Sequence, residues 1–251
     1  MNRFTRFSSW AVLAGTLTVG ASAASAQQQL IEASKNPGQW VMPGRTYDLQ
    51  RHSPLKQITT ANVKDLQVAW TFSTGVLRGH EGNPLVIGHV MYVHSAFPNK
   101  VFALDLSKPG APQIWQFTPE QPADVIPIAC CDVVNRGLAY SPKYDRLFIE
   151  LLSGDLLALD AKTGKQVYRV KSADYKKGET MTNAPLVVGD VVVTGISGGE
   201  FGVRGRLNRP DLPDTGRAHP ERVLHRAGHR VKPTGRLELP TPSLRVMCST
   251  S

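Results

Sequence analysis

The sequence predicts an all-β fold made of β-propeller blades. Short apolar runs rich in β-branched residues are separated by Gly, Pro, Asp and Asn, and no long stretch has the 3.6-residue periodicity of a helix. Two phrases also recur in the same order, at a spacing of roughly fifty residues with about four predicted strands per unit. That spacing is typical of propeller blades, whose radial arrangement leaves no long sheet edge open. The alternative is an ordinary β-sandwich with accidental internal similarity.

The first recurring phrase predicts a β-hairpin in each unit. Residues 83–93, NPLVIGHVMYV, resemble residues 184–194, APLVVGDVVVT. Each copy predicts a strand, a tight turn that contains Gly, and a second strand. A looser third copy at 138–149, LAYSPKYDRLFI, has its turn at Pro142 to Asp145. These copies predict the first two strands of each of three blades.

The second phrase follows the hairpins and predicts the other two strands of a blade. Residues 101–115, VFALDLSKPGAPQIW, match residues 156–168, LLALDAKTGKQVY. The shared pattern is Ala-Leu-Asp, a loop that contains Gly, and an aromatic residue at the start of the next strand. Residues 68–75, VAWTFSTG, resemble the aromatic end of an earlier copy. We therefore expect about three to four blades within residues 27–207.

The N-terminus is typical of a secretory signal peptide. Arg3 and Arg6 precede a mostly small and apolar run, and the small residues Ala24 and Ala26 precede a polar QQQ. We expect residues 1–26 to be cleaved off and the mature chain to lie in an oxidising compartment, the periplasm. An N-terminal membrane anchor is the alternative, disfavoured because the apolar run is short and contains Gly, Thr and Ser. No other segment approaches the ~20 apolar residues of a membrane span.

Residues 208–251 break the repeat pattern, and we expect them to be disordered. The segment has no aromatic residue and holds six of the 18 prolines of the chain. It therefore offers little apolar surface to offset the entropy of ordering. Its histidines have no metal-ligand spacing, and Cys248 is expected to be a free thiol.

The net charge of +9 says little about the partner of the folded part. Two arginines leave with the signal, and residues 208–251 hold eight Lys/Arg against four Asp/Glu, so residues 27–207 carry +3. That balance does not indicate a nucleic-acid or membrane partner. A nucleic-acid-binding tail is a third hypothesis, but it conflicts with export.

Several polar residues occupy equivalent positions at the entries of different blades. Glu81 lies three residues before Pro84, and Thr182 lies three residues before Pro185. The segment CCDVVNR begins the blade between them. Equivalent positions in a propeller lie on one face around its axis, so we expect these side chains to converge. The converging residues are Glu81, Cys130, Cys131, Arg136 and Thr182. Taken singly, each is better explained as a residue of a solvated loop or a turn, and the shared register favours the site only for the set.

Cys130 and Cys131 are neighbours in a chain with only three cysteines. Adjacent Cα atoms lie about 3.8 Å apart across a trans peptide, whereas a disulfide usually spans about 4.4–6.8 Å. A bridge between them would close a small strained ring and would stabilise the fold little, because it closes almost no chain. Its value would be a rigid local surface. The alternative is two ordinary buried thiols.

The segment GISGGEFGVRG at 195–205 has the composition of an anion and cation site. Gly198 and Gly199 allow backbone N–H groups to approach an anion closely. Glu200 supplies a carboxylate of the kind that hard cations prefer. Together with the positive charge of one neighbouring side chain and the hydroxyls of two others, the segment predicts a pocket for a poly-carboxylate cofactor and a metal. Those neighbours are Arg136, Thr182 and Ser197.

Four motifs of the chain closely resemble the large subunit of quinoprotein methanol dehydrogenases, in the PQQ-dependent methanol/ethanol dehydrogenase family. The motifs are GHEGNPLV, MYVHSAFPN, ACCDVVNRGLAY and GISGGEFGVRG, and the resemblance covers about residues 28–207. It implies an eight-bladed propeller with pyrroloquinoline quinone (PQQ) on its axis, of which this chain would hold a part.

The resemblance also implies roles for individual residues. Cys130 and Cys131 would form a ring disulfide over one face of the quinone. Glu200 would bind a metal, calcium in one branch of the family and a lanthanide in another. The carboxylates and carbonyls of the cofactor would be held by Glu81, Arg136, Thr182, Ser197, Gly198 and Gly199.

The implied reaction is the oxidation of a primary alcohol to its aldehyde, with electrons passed to a periplasmic cytochrome c. A small subunit or a second copy of the chain would be a further partner. The catalytic Asp of the family lies beyond residue 207, so no catalytic residue is expected within this chain. We therefore expect a truncated copy that does not turn over alcohol. The alternative is a non-catalytic propeller scaffold of the outer-membrane assembly type.

Overall fold

Three four-stranded antiparallel sheets follow one another along the chain in the computed structural model, which describes residues 24–209 and 222–224. The side chains of Cys130, Cys131, Glu200, Arg209 and residues 222–224 lie outside this description. Strands that are neighbours in sequence are also neighbours in each sheet. This meander confirms the prediction of an all-β fold with propeller blades.

The strands have the following bounds. The first sheet consists of β1 (Leu85–Ile87), β2 (Val90–His94), β3 (Val101–Asp105) and β4 (Gln113–Phe117). A separate strand, β5 (Cys130–Val133), precedes the second sheet. The second sheet consists of β6 (Ala139–Ser141), β7 (Arg146–Leu151), β8 (Asp155–Asp160) and β9 (Gln166–Lys171). The third consists of β10 (Leu186–Val188), β11 (Val191–Gly195), β12 (Leu207–Arg209) and β13 (Arg222–Leu224).

Helices are few and short in the described residues. The single α-helix there, α1 (Ala26–Ala33), begins where the Ser25 side chain accepts the N–H of Gln28. Its first residues pack on the third sheet, since the Gln27 N–H donates to the Gly189 carbonyl at 3.0 Å. Short 3-10 helices span Val63–Asp65, Ala123–Ile128, Tyr175–Lys177 and Gly199–Phe201. No helix among the described residues is both long and apolar enough to cross a membrane.

The three sheets share one register, which defines two edges. Their first hairpins pair Leu85 with Tyr92, Ala139 with Phe148, and Leu186 with Val193. The turn between the first and second strands lies at one edge, which we call the turn edge. The edge at which the first strand begins and the second strand ends is the entry edge. Residues at one register position in the three sheets therefore lie at the same edge.

The second sheet forms the centre of the core. Nearly every residue of β7 and β8 is buried, because the other two sheets cover both of its faces. Trp115 of the first sheet donates its indole N–H to the Ala161 carbonyl at 3.1 Å, and Tyr92 donates to the same oxygen. Gly164 has φ +68, and a Cβ there would lie 2.5 Å from the Trp115 ring. The aromatic residue of the repeat thus packs one blade on the next.

Two regions differ from the expectation or extend beyond it. Residues 68–75 form no strand, and Phe72 packs instead on Phe102 of the first sheet, with ring centroids 5.1 Å apart. The aromatic residues of this segment are there to pack on the first sheet, so the segment resembles a strand in sequence although it forms no backbone ladder. Of the segment 208–251, residues 208–209 and 222–224 pair in the third sheet. The rest of that segment and residues 1–23 lie outside the described residues, so the tail and the signal peptide stay predictions.

Candidate functional site

Four of the predicted cofactor residues form a continuous row of polar contacts along the entry edge. Nη2 of Arg136 lies 3.2 Å from Oε2 of Glu81. Nη1 of Arg136 donates to Oγ1 of Thr182 at 2.9 Å. Oγ1 of Thr182 lies 3.0 Å from Oγ of Ser197, so these hydroxyls share a hydrogen bond. We call Glu81, Arg136, Thr182 and Ser197 the polar row; it crosses all three sheets.

Backbone hydrogen bonds hold the polar row in place. The Arg136 N–H donates to the Thr182 carbonyl at 3.0 Å, and the Ser197 N–H donates to the Thr180 carbonyl at 2.8 Å. Asn83 and Gly137 form a parallel bridge between the first two sheets. The side chains of Glu81 and Arg136 are nevertheless 48% and 44% exposed. The row therefore presents charged groups to a ligand from a fixed backbone.

The donors of the polar row suit a ligand that carries several carboxylates. A guanidinium has five N–H donors in a planar fork that matches a carboxylate, and the contacts above use two of the Arg136 groups. One of the two hydroxyl hydrogens of Thr182 and Ser197 is used in the bond between them, and the other can donate to a carbonyl or carboxylate oxygen. Glu81 opposite Arg136 keeps the guanidinium at the entry edge. This set of residues fits an anionic, polar ligand better than an apolar one.

Gly198 and Gly199 sit in different surroundings. Gly198 has φ +113, and a Cβ there would lie 2.2 Å from the Gly178 carbonyl oxygen. Close packing against the backbone of Gly178 thus requires glycine at 198 whether or not a ligand is bound. Gly199 begins a short 3-10 helix, is exposed, and has open space where a Cβ would project. Of the two, Gly199 has the backbone that is accessible from solvent.

For the vicinal cysteines and Glu200, the structure describes the backbone but not the side chains. Cys130 and Cys131 begin β5, and the strand is fixed at its end by the Phe97 N–H, which donates to the Val133 carbonyl at 2.9 Å. Glu200 lies within the 3-10 helix that follows Ser197 by two residues. The predicted disulfide and the predicted metal ligand fall on side chains outside the described part, and they stay predictions. Elsewhere in that part, no group of three His, Cys, Asp or Glu side chains is placed to hold a metal.

Beneath the polar row lies a second set of polar residues that sequence reasoning missed. His94 Nε2 lies 3.0 Å from the Asn135 carbonyl, and Asn135 Nδ2 donates to the Glu150 carbonyl at 2.7 Å. All three are at most 1% exposed. We call His94, Asn135 and Glu150 the buried row. It runs below the entry edge from the first sheet to the third.

His94 fixes the distance between the first two sheets. A carbonyl only accepts, so the Nε2 facing Asn135 carries the proton. A Cβ added to Gly82 would lie 1.9 Å from the imidazole, which shows how closely the segment after Glu81 rests on the ring. Burial lowers the pKa of His94 from 6.5 to about 4, partly offset by its hydrogen bond to Asn135. The ring is therefore neutral near pH 7.

Glu150 joins the second sheet to the third. Its Oε2 accepts the Asn183 N–H at 3.2 Å, and its Oε1 accepts the Gly195 N–H at 3.3 Å. Its side chain is fully buried. Burial raises the pKa of this carboxyl well above 4.5, and the two N–H donors oppose that rise. A carboxyl at this position costs free energy of desolvation, which its contacts must offset.

One signal in the sequence could have revealed the buried row. Glu150 interrupts the apolar run LFIELL, and a charged residue inside a continuous apolar strand indicates a specific buried contact. The shared register of the three sheets then places Glu150 at the same edge as two other residues. His94, Glu150 and Gly195 each lie two residues beyond the paired positions Tyr92, Phe148 and Val193.

Comparisons with known proteins agree with this architecture. A family model described as "PQQ: Glucose/ethanol/alcohol dehydrogenase, beta-propeller domain" matches residues 40–204. The chain is 55% identical over 191 residues to the lanthanide-dependent methanol dehydrogenase of Methylacidiphilum fumariolicum (strain SolV), over 76% of this chain and 31% of that protein. It is 48% identical over 221 residues to "Methanol dehydrogenase [cytochrome c] subunit 1" of Methylobacterium organophilum, over 86% of this chain and 35% of that protein.

Among solved structures, the chain is similar to a europium-containing methanol dehydrogenase. The TM-score is 0.73 with 53% sequence identity, and the match covers 78% of this chain and 33% of the other. The chain thus spans about a third of the length of the relatives it matches.

Proposed function

This chain belongs to the PQQ family of glucose, ethanol and alcohol dehydrogenase β-propellers, and we propose that it serves the oxidation of a primary alcohol, methanol or a close analogue, to the aldehyde. The names of its relatives, which are methanol dehydrogenases, support this substrate class. The observation that carries the proposal is the polar row, which gathers a guanidinium, a carboxylate and two hydroxyls from three blades at one edge. We propose that this edge holds PQQ.

The residues of the polar row would bind and orient the cofactor. Arg136 would donate to a cofactor carboxylate through N–H groups that its protein contacts leave accessible. The hydrogen-bonded pair Thr182 and Ser197 would donate its remaining hydroxyl hydrogen to a carboxylate or carbonyl oxygen, and Glu81 would hold the guanidinium in position. The alcohol loses two electrons and two protons on becoming the aldehyde, and the bound quinone supplies the electron acceptor while a metal supplies a Lewis acid.

Further residues complete the proposed site. Cys130 and Cys131 would be joined in a disulfide that covers one face of the quinone. The Gly198–Gly199 backbone would lie against the cofactor, with Gly199 the more accessible of the two. Glu200 would be a metal ligand, because hard cations prefer carboxylate oxygens. We propose calcium or a lanthanide as the metal, and the names of relatives that contain a lanthanide favour the second.

The proposed partners follow from the relatives. One is named as subunit 1 of a dehydrogenase that uses cytochrome c, so we propose cytochrome c as electron acceptor and a small subunit or a second copy of this chain as a further partner. The predicted signal peptide at residues 1–26 supports a periplasmic location.

We propose that the 251-residue chain does not oxidise alcohol by itself. Glu81 and Arg136 are about half exposed in it, whereas the chemistry of a quinone needs a site from which water is excluded. The chain matches only 31% and 35% of two relatives, and we assign no catalytic residue within it. Its share of the function would be to hold the cofactor.

A binding titration tests the proposal. The full chain is titrated with PQQ in buffer that contains Ca²⁺ or La³⁺, and saturation is followed by protein fluorescence. We expect one PQQ per chain, with binding weakened about tenfold or more in Arg136→Ala, because a charge-assisted hydrogen bond is lost. Dye-linked methanol oxidation by the chain alone is expected to be absent.

Lys143→Ala is the matched control. Lys143 pairs with Asp190 at 3.0 Å, an ion pair that also joins two sheets but lies at the turn edge. Its removal should leave PQQ affinity unchanged. Absence of saturable binding, or equal weakening in both variants, would contradict the proposal and favour the non-catalytic scaffold.

A further inference from the structure

The hydrogen bonds of Glu150 reach the three segments that carry Arg136, Thr182 and Ser197. We therefore propose that Glu150 is a positioning residue for the cofactor-binding groups. The inference rests on the proposed function, since positioning matters only where those groups bind a ligand. Glu150 itself is fully buried, so its side chain is not exposed to a ligand at the entry edge. It acts by holding the backbone on which the binding side chains stand.

The carboxylate of Glu150 ties together the two segments that supply the hydroxyls. Oε2 accepts the N–H of Asn183, the residue after Thr182. Oε1 accepts the N–H of Gly195, two residues before Ser197. One buried group therefore fixes both the entry of β10 and the exit of β11. The 3.0 Å contact between the two hydroxyls depends on that alignment.

The backbone of Glu150 extends the same control to Arg136. Its carbonyl accepts Nδ2 of Asn135 at 2.7 Å, and Oδ1 of Asn135 accepts the N–H of Gly137 at 3.1 Å. Asn135 thus fixes the backbone on both sides of Arg136. The Arg136 N–H in turn donates to the Thr182 carbonyl. A shift at Glu150 would alter the position of the guanidinium relative to both hydroxyls.

The propeller fold itself does not require a carboxylate here. The register-equivalent residues of the first and third sheets are His94 and Gly195. Three different residues therefore occupy this position of the second strand in three blades with the same pairing. An apolar residue at 150 would extend the run LFI–LL and would avoid desolvation. It would also leave the Asn183 and Gly195 N–H groups without this acceptor. The carboxylate therefore serves the entry edge and not the sheet.

The test compares Glu150→Gln with wild type by two measurements. Gln keeps the shape but has one acceptor oxygen, so one of the two N–H groups must face an NH₂ donor, whatever the protonation state of Glu150. We expect the dissociation constant for PQQ to rise about tenfold. We also expect backbone hydrogen exchange to accelerate in residues 180–184 and 194–199, but not in the distant turn 161–165.

Asp155→Asn is the matched control, since it makes the same change of carboxylate to amide in the same sheet. Asp155 is also buried, but its carboxylate contacts Ser153, Arg169 and Lys171. The control should lower thermal stability while PQQ affinity and exchange in residues 180–184 and 194–199 stay at wild-type values. Equal weakening of PQQ binding by both variants would mean that Glu150 acts only through stability and would overturn the inference.

The two measurements separate this inference from the proposed function. If wild type binds PQQ and Glu150→Gln binds it equally well, the positioning role is wrong. If wild type binds no PQQ, the proposed function fails, and hydrogen exchange alone decides whether Glu150 orders the entry edge. If Glu150→Gln does not fold, Glu150→Asp replaces it. Its carboxylate is too short to reach both N–H groups, so unchanged affinity and exchange there would also refute the role.

Discussion

The two edges of the sheets are joined by similar ion pairs but are built differently. At the turn edge, Lys143 and Asp190 pair across two sheets, and β1 and β10 turn through Gly88–His89 and Gly189–Asp190 alone. At the entry edge, Arg136 and Glu81 pair across two sheets, but longer segments carry them and a buried row of polar residues lies below. Short turns need no internal support, whereas longer segments do.

The difference shows what the buried row contributes. Fixed side-chain geometry on long segments needs internal hydrogen bonds, because each loose segment would cost conformational entropy when a ligand binds. The entry edge meets that need with His94, Asn135 and Glu150, which are costly to bury. At the turn edge, the strand ends of the first and third sheets are the apolar residues Ile87, Val90, Val188 and Val191. Ser141 at the end of β6 is buried there, but its hydroxyl joins no row of hydrogen bonds. Substitutions at the two edges should therefore differ in their effects on stability and on binding.

Gly82→Ala should damage the entry edge most. Its Cβ would lie 1.9 Å from the imidazole of His94, so either the ring or the segment after Glu81 must move. We expect the free energy of unfolding to fall by ~3 kcal/mol or more, as in an overpacked core, together with loss of PQQ binding. Urea denaturation measures the first effect and the PQQ titration the second.

Gly205→Ala is the control for that substitution. Gly205 is exposed, a Cβ added there would meet no atom within 4 Å, and its φ is not positive. The substitution should change the free energy of unfolding by less than ~0.5 kcal/mol. A Gly82→Ala variant as stable as Gly205→Ala would show that His94 does not support the entry edge.

His94 should make stability depend on pH. Its folded-state pKa of about 4 lies below the usual 6.5, so the unfolded chain binds more protons between these values. Its contribution to stability is complete above pH 6.5 and is lost as the pH falls toward 4. From pH 7 to pH 4, wild type should lose about 3 kcal/mol more than His94→Gln, which keeps a donor for Asn135 but does not titrate. The free energy of unfolding is measured by urea denaturation of both proteins at both pH values. If wild type and His94→Gln lose the same amount from pH 7 to pH 4, the imidazole is not buried in its neutral form.

Arg136→Ala should separate binding from stability. The Arg136–Glu81 pair is about half exposed on both sides, so its loss should lower the free energy of unfolding by less than ~1 kcal/mol. The same variant should lose about tenfold or more in PQQ affinity. A large loss of stability would show that Arg136 also holds the fold together, as the buried row does, and would contradict a role in binding alone. Chemical denaturation beside the titration decides this.

Gly199→Ala should have the smallest effect on folding. Its Cβ would meet no atom within 4 Å, and its φ is not positive, unlike that of Gly198. The free energy of unfolding should stay within ~0.5 kcal/mol of wild type, whereas Gly198→Ala should be clearly destabilised by contact with Gly178. Comparable urea midpoints for the two variants would show that the packing at Gly198 is looser than described.

Repeats in the sequence were sufficient to predict the blades. The paired phrases at 83–93 and 184–194 place strands, turns and glycines where the structure has them, because a hairpin is determined by local pattern and turn chemistry. The aromatic segment 68–75 was less informative. Buried aromatic residues occur both in strands and in extended segments that only pack on a sheet. The sequence pattern is the same in both cases, and only tertiary contacts distinguish them.

The entry edge was predicted only in its outer layer. Counting back three residues from Pro84 and from Pro185 reaches Glu81 and Thr182. In the second blade the residue equivalent to these prolines is Leu138, and the same count reaches Asn135 and not Arg136. A difference of one residue places Asn135 inside and Arg136 at the surface. Glu150 was missed because a strand pattern shows that a residue is buried but not which distant N–H groups it will meet.

A crystal structure of the chain with bound PQQ would show whether the cofactor lies at the entry edge. We expect density for the quinone at this edge, with carboxylate oxygens about 2.7–3.2 Å from Nη atoms of Arg136 and from Oγ1 of Thr182. Glu150 should keep its contacts with the Asn183 and Gly195 N–H groups in that complex. Quinone density at any other surface, or a complex in which Arg136 and Thr182 touch no part of the cofactor, would contradict this placement.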